Sequence, residues 1–162
     1  MFELFGPGVF SFIQSDLRSN IAGVRSRYEA THVSSGTLEE LLRNEGKEAS
    51  KHATPCLVRL TRGLALIYHA LQNMQTDASV ELHVCFKRSY DKVLRHHHSF
   101  VIRSLVSVAI RSVPRRSDFY KCLAQGGSVE KLDLELARWL VGLNAIVNRI
   151  RGFLADGGYG RV

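Results

Sequence analysis

Apolar residues recur every three or four positions through most of this chain. The clearest run lies within residues 57–74, as one stripe formed by Leu57, Leu60, Leu64, Ile67, Leu71 and Met74. Side chains at this spacing share one face of an α-helix, whereas a half-buried strand alternates apolar and polar residues. No alternating segments flank an Asn-Gly or Asp-Gly turn, the pattern that indicates a hairpin. The spacing therefore predicts an all-α protein.

Helix start and stop patterns divide the chain into about six helices. A first helix is predicted over 8–29, and Thr37 with Glu40 forms a capping-box pattern that opens a short second one. Thr54 before Pro55 fits an N-cap followed by proline at the first helical position; alternatively, Pro55 kinks a longer helix. The remaining helices are predicted over 80–112, from Ser117 to about residue 124, and from Ser128 to Leu154. Helices of these lengths pack in layers or as a bundle.

The composition predicts one globular domain over residues 1–162. Apolar residues make up 45% of the chain, as in folded proteins. No apolar run approaches the roughly 20 residues that span a bilayer, and the N-terminus lacks a secretory signal pattern, so we expect a cytoplasmic protein. Cys56, Cys85 and Cys122 are odd in number and far apart, which fits neither a disulfide framework nor a zinc site. We expect them to act as small core residues in a reducing compartment.

The net charge of +7 and the isoelectric point of 9.7 favour an anionic partner. Charge alone does not distinguish nucleic acid, lipid head groups and phosphorylated ligands. No nucleic-acid motif is present, so nucleic acid is not the expected partner. The chain also lacks a nucleophile–base set, a P-loop and a metal-ligand cluster. We therefore expect no enzyme activity, no cofactor and no metal; an acid–base pair of Asp16 and His98 is the enzymatic alternative.

Three consecutive histidines lie at positions 96–98, within LRHHHSF. Consecutive residues of a helix point in different directions, so these three rings cannot close on one metal ion. A position in the middle of the chain also argues against a purification tag. If 80–112 is one helix, His98 lies at the centre of its apolar stripe, His97 at the edge and His96 on the opposite side. His98 is therefore predicted to be buried, either as a core histidine bonded to a carbonyl or as a binding residue.

Two polar residues fall on the apolar half of the first predicted helix. Asp16 and Asn20 are four residues apart and hence adjacent on that face, while Arg18 and Arg25 lie outside it. A carboxylate turned toward a core is costly unless it is paired or hydrogen-bonded. One interpretation is a structural ion pair with an arginine of another helix. The other is a polar centre, with Asp16, Asn20 and His98 at the mouth of an apolar cavity, which suits an amphiphilic small molecule.

Arg59 and Arg62 flank the apolar arc of the stripe on opposite sides. Long basic side chains at such an edge usually extend to water. They could equally reach an acid or a phosphate.

Several segments together resemble the glycolipid transfer protein superfamily, which includes the ceramide-1-phosphate transfer proteins. The matching pieces are FGPGVFSFIQSDLRSNI (5–21), RLTRGLALI (59–67), YDKVLRHHHSFVIRSLVSVAIRSVPRRSDFYKCL (90–123) and SVEKLDLEL (128–136), followed by the terminal YGRV. The resemblance implies an all-helical, two-layer fold with an apolar lipid cavity. It also implies a protein that carries one sphingolipid between membranes, with the head group at a surface site and the chains in the cavity.

The resemblance assigns roles to individual residues. Asp16 matches the aspartate that bonds the lipid amide, and His98 matches the histidine that bonds the amide carbonyl. Asn20 matches an asparagine that binds sugar hydroxyls in the glycolipid branch. Arg59 falls where the glycolipid branch has a tryptophan and the phosphate branch has a phosphate-binding arginine. Phe100 replaces a tryptophan that touches the membrane, with Arg95 and Arg103 nearby in sequence.

The implied head group is ambiguous. Arg59 favours ceramide-1-phosphate, because a guanidinium suits a phosphate better than an indole does. Asn20 favours a sugar, and Pro55 stands where the phosphate branch has a second arginine. We expect ceramide-1-phosphate to be preferred over glycosylceramide. Family members usually have a further helix before the FGPGVF segment, so either this chain is a truncated form or its cavity is open on one side.

The expected mechanism is transfer of one sphingolipid by a monomer that docks transiently on an anionic membrane. Asp16 would accept a hydrogen bond from the amide N–H and neutral His98 would donate one to the amide carbonyl. This pairing would select sphingolipids over ester-linked lipids, which have no N–H donor. A sphingolipid sensor or membrane-binding scaffold that does not transfer its ligand is the alternative.

Overall fold

Seven α-helices make up most of the part of the chain that the structure describes. The computed structural model describes residues 9–162, without the side chains of Val9, Phe10 and Phe12. The helices are α1 (Val9–Thr31), α2 (Leu38–Glu45), α3 (Ala53–Thr76), α4 (Leu82–Val93), α5 (Phe100–Arg111), α6 (Arg116–Ala124) and α7 (Val129–Asp156). Two short 3-10 turns cover His32–Ser34 and Arg95–His97. The predicted all-helical fold class is confirmed.

Helix α3 occupies the centre of the molecule and packs against α1, α4 and α7. Its predicted apolar stripe is confirmed as core, since Leu57, Ile67, Leu71 and Met74 are buried. The larger core cluster joins α3 to α4, α6 and α7, with Leu82, Phe86, Phe119, Leu140 and Val147 among its members. A second cluster joins α2, the start of α3 and the end of α7. Together the two clusters pack against α3 from Ala53 to Met74. This packing positions the residues on the rest of its surface.

Local capping explains where two helices begin. The Thr37 side chain accepts a hydrogen bond from the Glu40 N–H, and the Glu40 carboxylate accepts one from the Thr37 N–H, so the predicted capping box is confirmed. The Ser128 side chain caps α7 by accepting from the Lys131 N–H, as predicted. Both patterns lie within four residues of sequence, which is why they could be identified there.

The predicted start of α3 at Thr54 and Pro55 is wrong. Helix α3 begins at Ala53 and continues through Pro55, which lies in its first turn. Pro55 therefore neither takes the first helical position nor kinks a longer helix. The N-terminal amides are satisfied by Glu45, the last residue of α2: its buried carboxylate accepts from the N–H groups of His52, Ala53 and Thr54 at 2.8, 2.7 and 2.7 Å. The cap is therefore supplied by a neighbouring helix and not by Thr54.

The other end of α3 is held by a side chain distant in sequence. The Arg116 guanidinium donates to the carbonyl oxygens of Met74, Asp77 and Val80. These carbonyls lie at and just beyond the end of the helix, where a cation is favourable. Helix α6 itself begins at Arg116, one residue before the predicted cap Ser117.

The predicted single helix over 80–112 is interrupted. Helix α4 ends at Val93, a 3-10 turn covers Arg95–His97, and α5 begins at Phe100. The Ser99 side chain caps α5 by accepting from the Ile102 N–H, and His98 is extended, with φ −106° and ψ 139°. His98 therefore lies between two helices and not on the stripe of one.

The cysteines differ from one another. Cys56 and Cys85 are buried, as expected of small core residues, whereas Cys122 is exposed, so that prediction fails for the third. Within residues 9–162, no helix combines the length and hydropathy needed to cross a bilayer.

Candidate functional site

Asp16 and Asn20 are adjacent on α1 but differ in exposure. Asn20 is buried, with 3% of its surface exposed, and its side-chain amide donates to both the main-chain oxygen and Oδ2 of Asp16, at 2.7 and 3.1 Å. Asp16 itself is exposed, so the expectation that its carboxylate turns toward the core is wrong. The burial boundary of α1 runs between these two residues. The Asp16 carboxylate consequently faces solvent, and the buried side-chain amide of Asn20 orients it through a hydrogen bond.

His98 is half-buried and is held by a residue that the sequence did not indicate. The Tyr90 hydroxyl lies 3.2 Å from Nδ1 of His98, and Tyr90 is buried on α4. Burial lowers the pKa of His98, while the negative charge of Asp16 opposes this change and Arg103 and Arg62 add to it. His98 is therefore neutral at neutral pH, with one donor and one acceptor nitrogen.

Besides burial, charged residues of three other elements influence the pKa of His98. Asp16 of α1 raises it, while Arg103 of α5 and Arg62 of α3 lower it, although His98 itself lies in the connection between α4 and α5. That Asp16, Asn20 and His98 converge on one ligand stays a prediction.

Arg59 and Arg62 are three residues apart on α3 and hence neighbours on one side of it, so the prediction that they lie on opposite sides of the stripe is wrong. Arg59 is exposed, and among residues 9–162 no carboxylate forms an ion pair with it. Burial and the nearby charge of Arg59 both lower the pKa of Arg62. Asp16 and Arg59 act in opposite directions on the pKa of Cys56, which burial raises. Arg59 and Asp16 thus both act on the Cys56 thiol, whose electrostatic neighbourhood also includes Glu45.

The C-terminal residues border this neighbourhood. Nε and Nη2 of Arg62 donate to the main-chain oxygen of Arg161, at 2.9 and 2.5 Å. Gly160 adopts φ +147° against Val58, and Tyr159 stacks on Phe153 at 5.3 Å. Arg62 thus reaches a main-chain carbonyl, which was not among the partners considered from sequence: water, an acid or a phosphate.

The residues predicted to touch a membrane lie on the outside of the molecule. Phe100 is 82% exposed at the start of α5. Arg95 forms an ion pair with Asp91 at 3.3 Å, and Nε of Arg103 donates to the main-chain oxygen of Arg95 at 3.0 Å. The charge of Arg103 also lowers the pKa of His98.

The other two histidines lie side by side in the 3-10 turn. The ring centroids of His96 and His97 are 3.9 Å apart, with the planes tilted by 47°. Burial lowers the pKa of His97, and Arg62, His96 and His98 lower it further. Within residues 9–162, no group of three His, Cys, Asp or Glu side chains is placed to hold a metal ion.

An apolar cavity beneath the polar centre stays a prediction. Ile13 and Leu64 pack against the main core near this side of α1 and α3. A cleft of about 280 Å³ opens elsewhere, between α2, α3 and α7, where Leu57, Ile146 and Phe153 line it beside the Arg149–Glu39 ion pair. None of Asp16, Asn20, Arg59 and His98 lines this cleft.

The family model described as glycolipid transfer protein matches residues 1–125 of the chain. A glycolipid transfer protein of Aureobasidium melanogenum is 37% identical over 156 residues, which are 96% of this chain and 77% of the relative. The chain belongs to the glycolipid transfer protein family. Proteins of this family transfer lipids and are not enzymes. The resemblance inferred from the sequence segments is therefore confirmed.

Solved structures agree with this assignment. The crystal structure of HET-C2, a fungal glycolipid transfer protein, has a TM-score of 0.89 and 36% identity, covering 95% of this chain and 77% of that one. Human ceramide-1-phosphate transfer protein in complex with 12:0 ceramide-1-phosphate has a TM-score of 0.85 at 20% identity, covering 98% and 81%. At that identity the likeness shows a common fold only. A zebrafish (Danio rerio) glycolipid transfer protein is 31% identical over 139 residues, covering 80% of this chain and 66% of the relative.

Two contributors to the site were missed or misassigned from sequence. Tyr90 carries no local pattern that marks it, because its importance depends on a helix break after Val93 that places His98, eight residues later, beside it. That break did have a signal: Ser99 before an apolar run is an N-cap pattern. Arg62 was noted, but its partner carbonyl is 99 residues away.

Proposed function

We propose that this protein transfers a single sphingolipid between membranes, and that Asp16 and His98 bind the amide linkage of that lipid. The observation that supports the proposal is that the charge of Asp16 acts on the pKa of His98 from a separate element, with Asp16 exposed and His98 half-buried and neutral. Asp16 accepts from the amide N–H, and His98 donates to the amide carbonyl. A glycerolipid with ester linkages lacks the N–H donor and leaves the Asp16 carboxylate without a partner.

The charges around this pair favour an anionic head group. Arg59, Arg62 and Arg103 contribute three positive charges against the one negative charge of Asp16. Arg59 in particular is exposed and has no carboxylate partner among residues 9–162. A guanidinium without a carboxylate is suited to a phosphate. We therefore favour ceramide-1-phosphate, with the phosphate on Arg59.

A glycosylceramide is the second candidate. The relatives from Aureobasidium melanogenum and zebrafish are named glycolipid transfer proteins, and Asn20 matches a sugar-binding asparagine of that branch. The position of Asn20 weakens this argument for the chain itself, because its amide hydrogens already bond Asp16.

The deciding experiment is vesicle-to-vesicle transfer of labelled ceramide-1-phosphate and labelled galactosylceramide, measured side by side. Asp16→Val should reduce transfer of the preferred lipid roughly 10- to 100-fold, as expected for loss of a hydrogen bond to a charged group, and should leave the helical circular dichroism unchanged. Full activity of this variant would remove Asp16 from the mechanism. Binding of lipid by the unmodified protein without transfer would instead support a sensor or scaffold.

The head group is tested by Arg59→Leu. If a phosphate binds Arg59, this change should lower transfer of ceramide-1-phosphate roughly tenfold or more and affect galactosylceramide much less. Arg138→Leu is the matched control, because it removes the same charge from an exposed position on α7. Equal losses for both lipids with Arg59→Leu would contradict the phosphate assignment.

A further inference from the structure

Tyr90 and His98 form a hydrogen-bonded pair at the inner side of the site. The Tyr90 hydroxyl oxygen is 3.2 Å from Nδ1 of His98, and the two ring centroids are 5.7 Å apart with their planes tilted by 41°. Tyr90 is 4% exposed and belongs to the well-packed part of α4. His98 follows the 3-10 turn, and its main-chain N–H donates to the Arg95 carbonyl at 3.4 Å, which leaves the ring itself free to rotate unless a side chain holds it. The orientation of the imidazole is therefore controlled largely by a rigid neighbour.

Both partners are neutral at neutral pH. Burial raises the pKa of the Tyr90 phenol, so the hydroxyl keeps its hydrogen. Burial likewise lowers the pKa of His98, with Asp16 opposing and Arg103 and Arg62 reinforcing the change. A neutral imidazole has one N–H and one bare nitrogen, and the partner of one nitrogen decides the role of the other. Nδ1 faces Tyr90, which leaves Nε2 for a ligand.

Two arrangements of the hydrogens are chemically allowed. In the first, Tyr90 donates to a bare Nδ1 and Nε2 carries the hydrogen. In the second, Nδ1–H donates to the Tyr90 oxygen and Nε2 is bare. Only the first gives the ligand a donor at Nε2. Asp16 can only accept, so the first arrangement presents one acceptor and one donor, which matches the N–H and C=O of an amide.

We propose that Tyr90 is a positioning residue that donates its hydroxyl hydrogen to Nδ1 of His98 and thereby holds the Nε2–H toward the ligand. The inference rests on the proposed function in assigning that ligand as an amide. It goes beyond that function by explaining why His98 acts as a donor and not as an acceptor. Tyr90 itself makes no contact with the lipid in this arrangement.

The tautomer can be measured without any lipid. With ring nitrogens labelled by ¹⁵N, nuclear magnetic resonance should show His98 protonated on Nε2, with Nδ1 shifted as a hydrogen-bond acceptor. Tyr90→Phe removes only the hydroxyl, so the Nδ1 resonance should move to the position of a nitrogen without a hydrogen bond. A hydrogen on Nδ1 in the unmodified protein, or an unchanged Nδ1 resonance in the variant, would overturn the assignment.

Transfer supplies the second readout. Tyr90→Phe should lower the transfer rate roughly three- to tenfold, as expected for the loss of one neutral hydrogen bond. Combined with His98→Leu it should cause no further loss, because its effect passes through His98. Tyr68→Phe is the matched control: Tyr68 also adjoins a histidine, with ring centroids 5.1 Å apart, and lies on α3. Additive losses in the double variant would contradict a positioning role.

The experiments distinguish a failure of the proposed function from a failure of the role given to Tyr90. If the unmodified protein does not transfer sphingolipid, the proposed function fails, whatever the tautomer. If it transfers sphingolipid while His98 carries its hydrogen on Nδ1, the function stands and the role of Tyr90 is refuted. Should Tyr90→Phe unfold, the tautomer of the unmodified protein still decides the question.

Discussion

At the scale of single residues, the hydrogen bonds of Asn20 bear on whether the head group is a sugar or a phosphate. An asparagine can bind sugar hydroxyls through its amide hydrogens or through Oδ1, and the amide hydrogens of Asn20 already bond the main-chain oxygen and Oδ2 of Asp16. The residue is also buried. Asn20→Leu should therefore lower transfer of ceramide-1-phosphate and galactosylceramide by the same factor, about five- to tenfold, since both depend on an oriented Asp16.

The control for Asn20 is the same substitution in the Asp16→Val background. No further loss is expected there, because the only effect of Asn20 is through Asp16. A selective loss of galactosylceramide transfer with Asn20→Leu would show instead that this amide binds the sugar directly.

The sequence located the polar centre but not its geometry. Asp16, Asn20 and His98 stand out because polar groups within an apolar pattern are costly without a purpose. The rotation used for His98 assumed one continuous helix, so the residue was correctly predicted to face inward but on a wrong structural basis. Tyr90 was not found, because a hydrogen bond between residues on either side of a helix break has no periodic signature.

At the scale of secondary structure, the junction between α2 and α3 depends on one carboxylate. Glu45 is 2% exposed and accepts from three main-chain amides and from the Thr54 hydroxyl. Glu45→Ala leaves these buried donors without partners, and we expect the free energy of unfolding to fall by about 3 kcal/mol. Urea unfolding followed by circular dichroism measures this value.

A matched change distinguishes the junction from ordinary capping. Glu40→Ala also removes a glutamate that accepts from a helix N-terminus, but in an exposed capping box, and should cost about 1 kcal/mol. Similar losses in the free energy of unfolding for the two variants would show that burial of Glu45 does not increase its contribution to stability.

The ends of helices could be predicted where the capping side chain is close in sequence to the amide that it caps. The capping box at Thr37 and the cap at Ser128 each involve residues three apart, and both were identified from sequence. The start of α3 was missed because Glu45 supplies its cap from another helix. The end of α3 is held by Arg116, 42 residues beyond the carbonyl of Met74. Such partners follow from packing and have no signature within a short window.

At the scale of the whole molecule, periodicity established the helical class, whereas the arrangement of the helices came from resemblance to a family. Amphipathic spacing tells which face of a helix is buried, but not which helix covers it. The central position of α3 agrees with its long apolar stripe, since a helix that is apolar around much of its circumference needs several neighbours.

The stability of the folded protein should decrease as the pH falls from 7. Burial lowers the pKa values of His69, His97 and His98 below the ordinary value of 6.5, so the unfolded chain takes up protons first as the pH drops through that value. Glu45 contributes a second step: burial raises its pKa, but bonds from Thr54, Ala53 and His52 outweigh this and lower it below 4.5. Its stabilisation is present above that value and is lost as the pH falls through the lowered pKa.

Thermal unfolding midpoints at about pH 7, 5.5 and 3.5 test both steps. The midpoint should fall at each decrease, and Glu45→Gln should reduce the second fall without changing the first. A midpoint that rises between pH 7 and 5.5 would contradict the contribution of the histidines.

The proposed docking on a membrane depends most on the molecule as a whole. Residues 92–117 contain six Lys or Arg and no Asp or Glu, within a chain of net charge +7. Phe100 lies within this segment of sequence, and its side chain is 82% exposed. Basic residues near an acidic bilayer contribute about 1 kcal/mol each, and the attraction is screened by salt. An exposed phenylalanine adds apolar contact that salt does not screen.

These two contributions can be separated by vesicle sedimentation. Raising the salt from about 0.1 M to about 1 M should release the protein from acidic vesicles, because the screening length falls from about 10 Å to about 3 Å. Phe100→Ser should weaken binding roughly tenfold at either salt concentration, because it removes the apolar contact alone. Val33→Ser removes a side chain that is 91% exposed on the turn after α1 and should change nothing. Equal effects of the two substitutions would mean that α5 is not the docking edge, and the charge of the whole molecule would then have to account for any binding that remains.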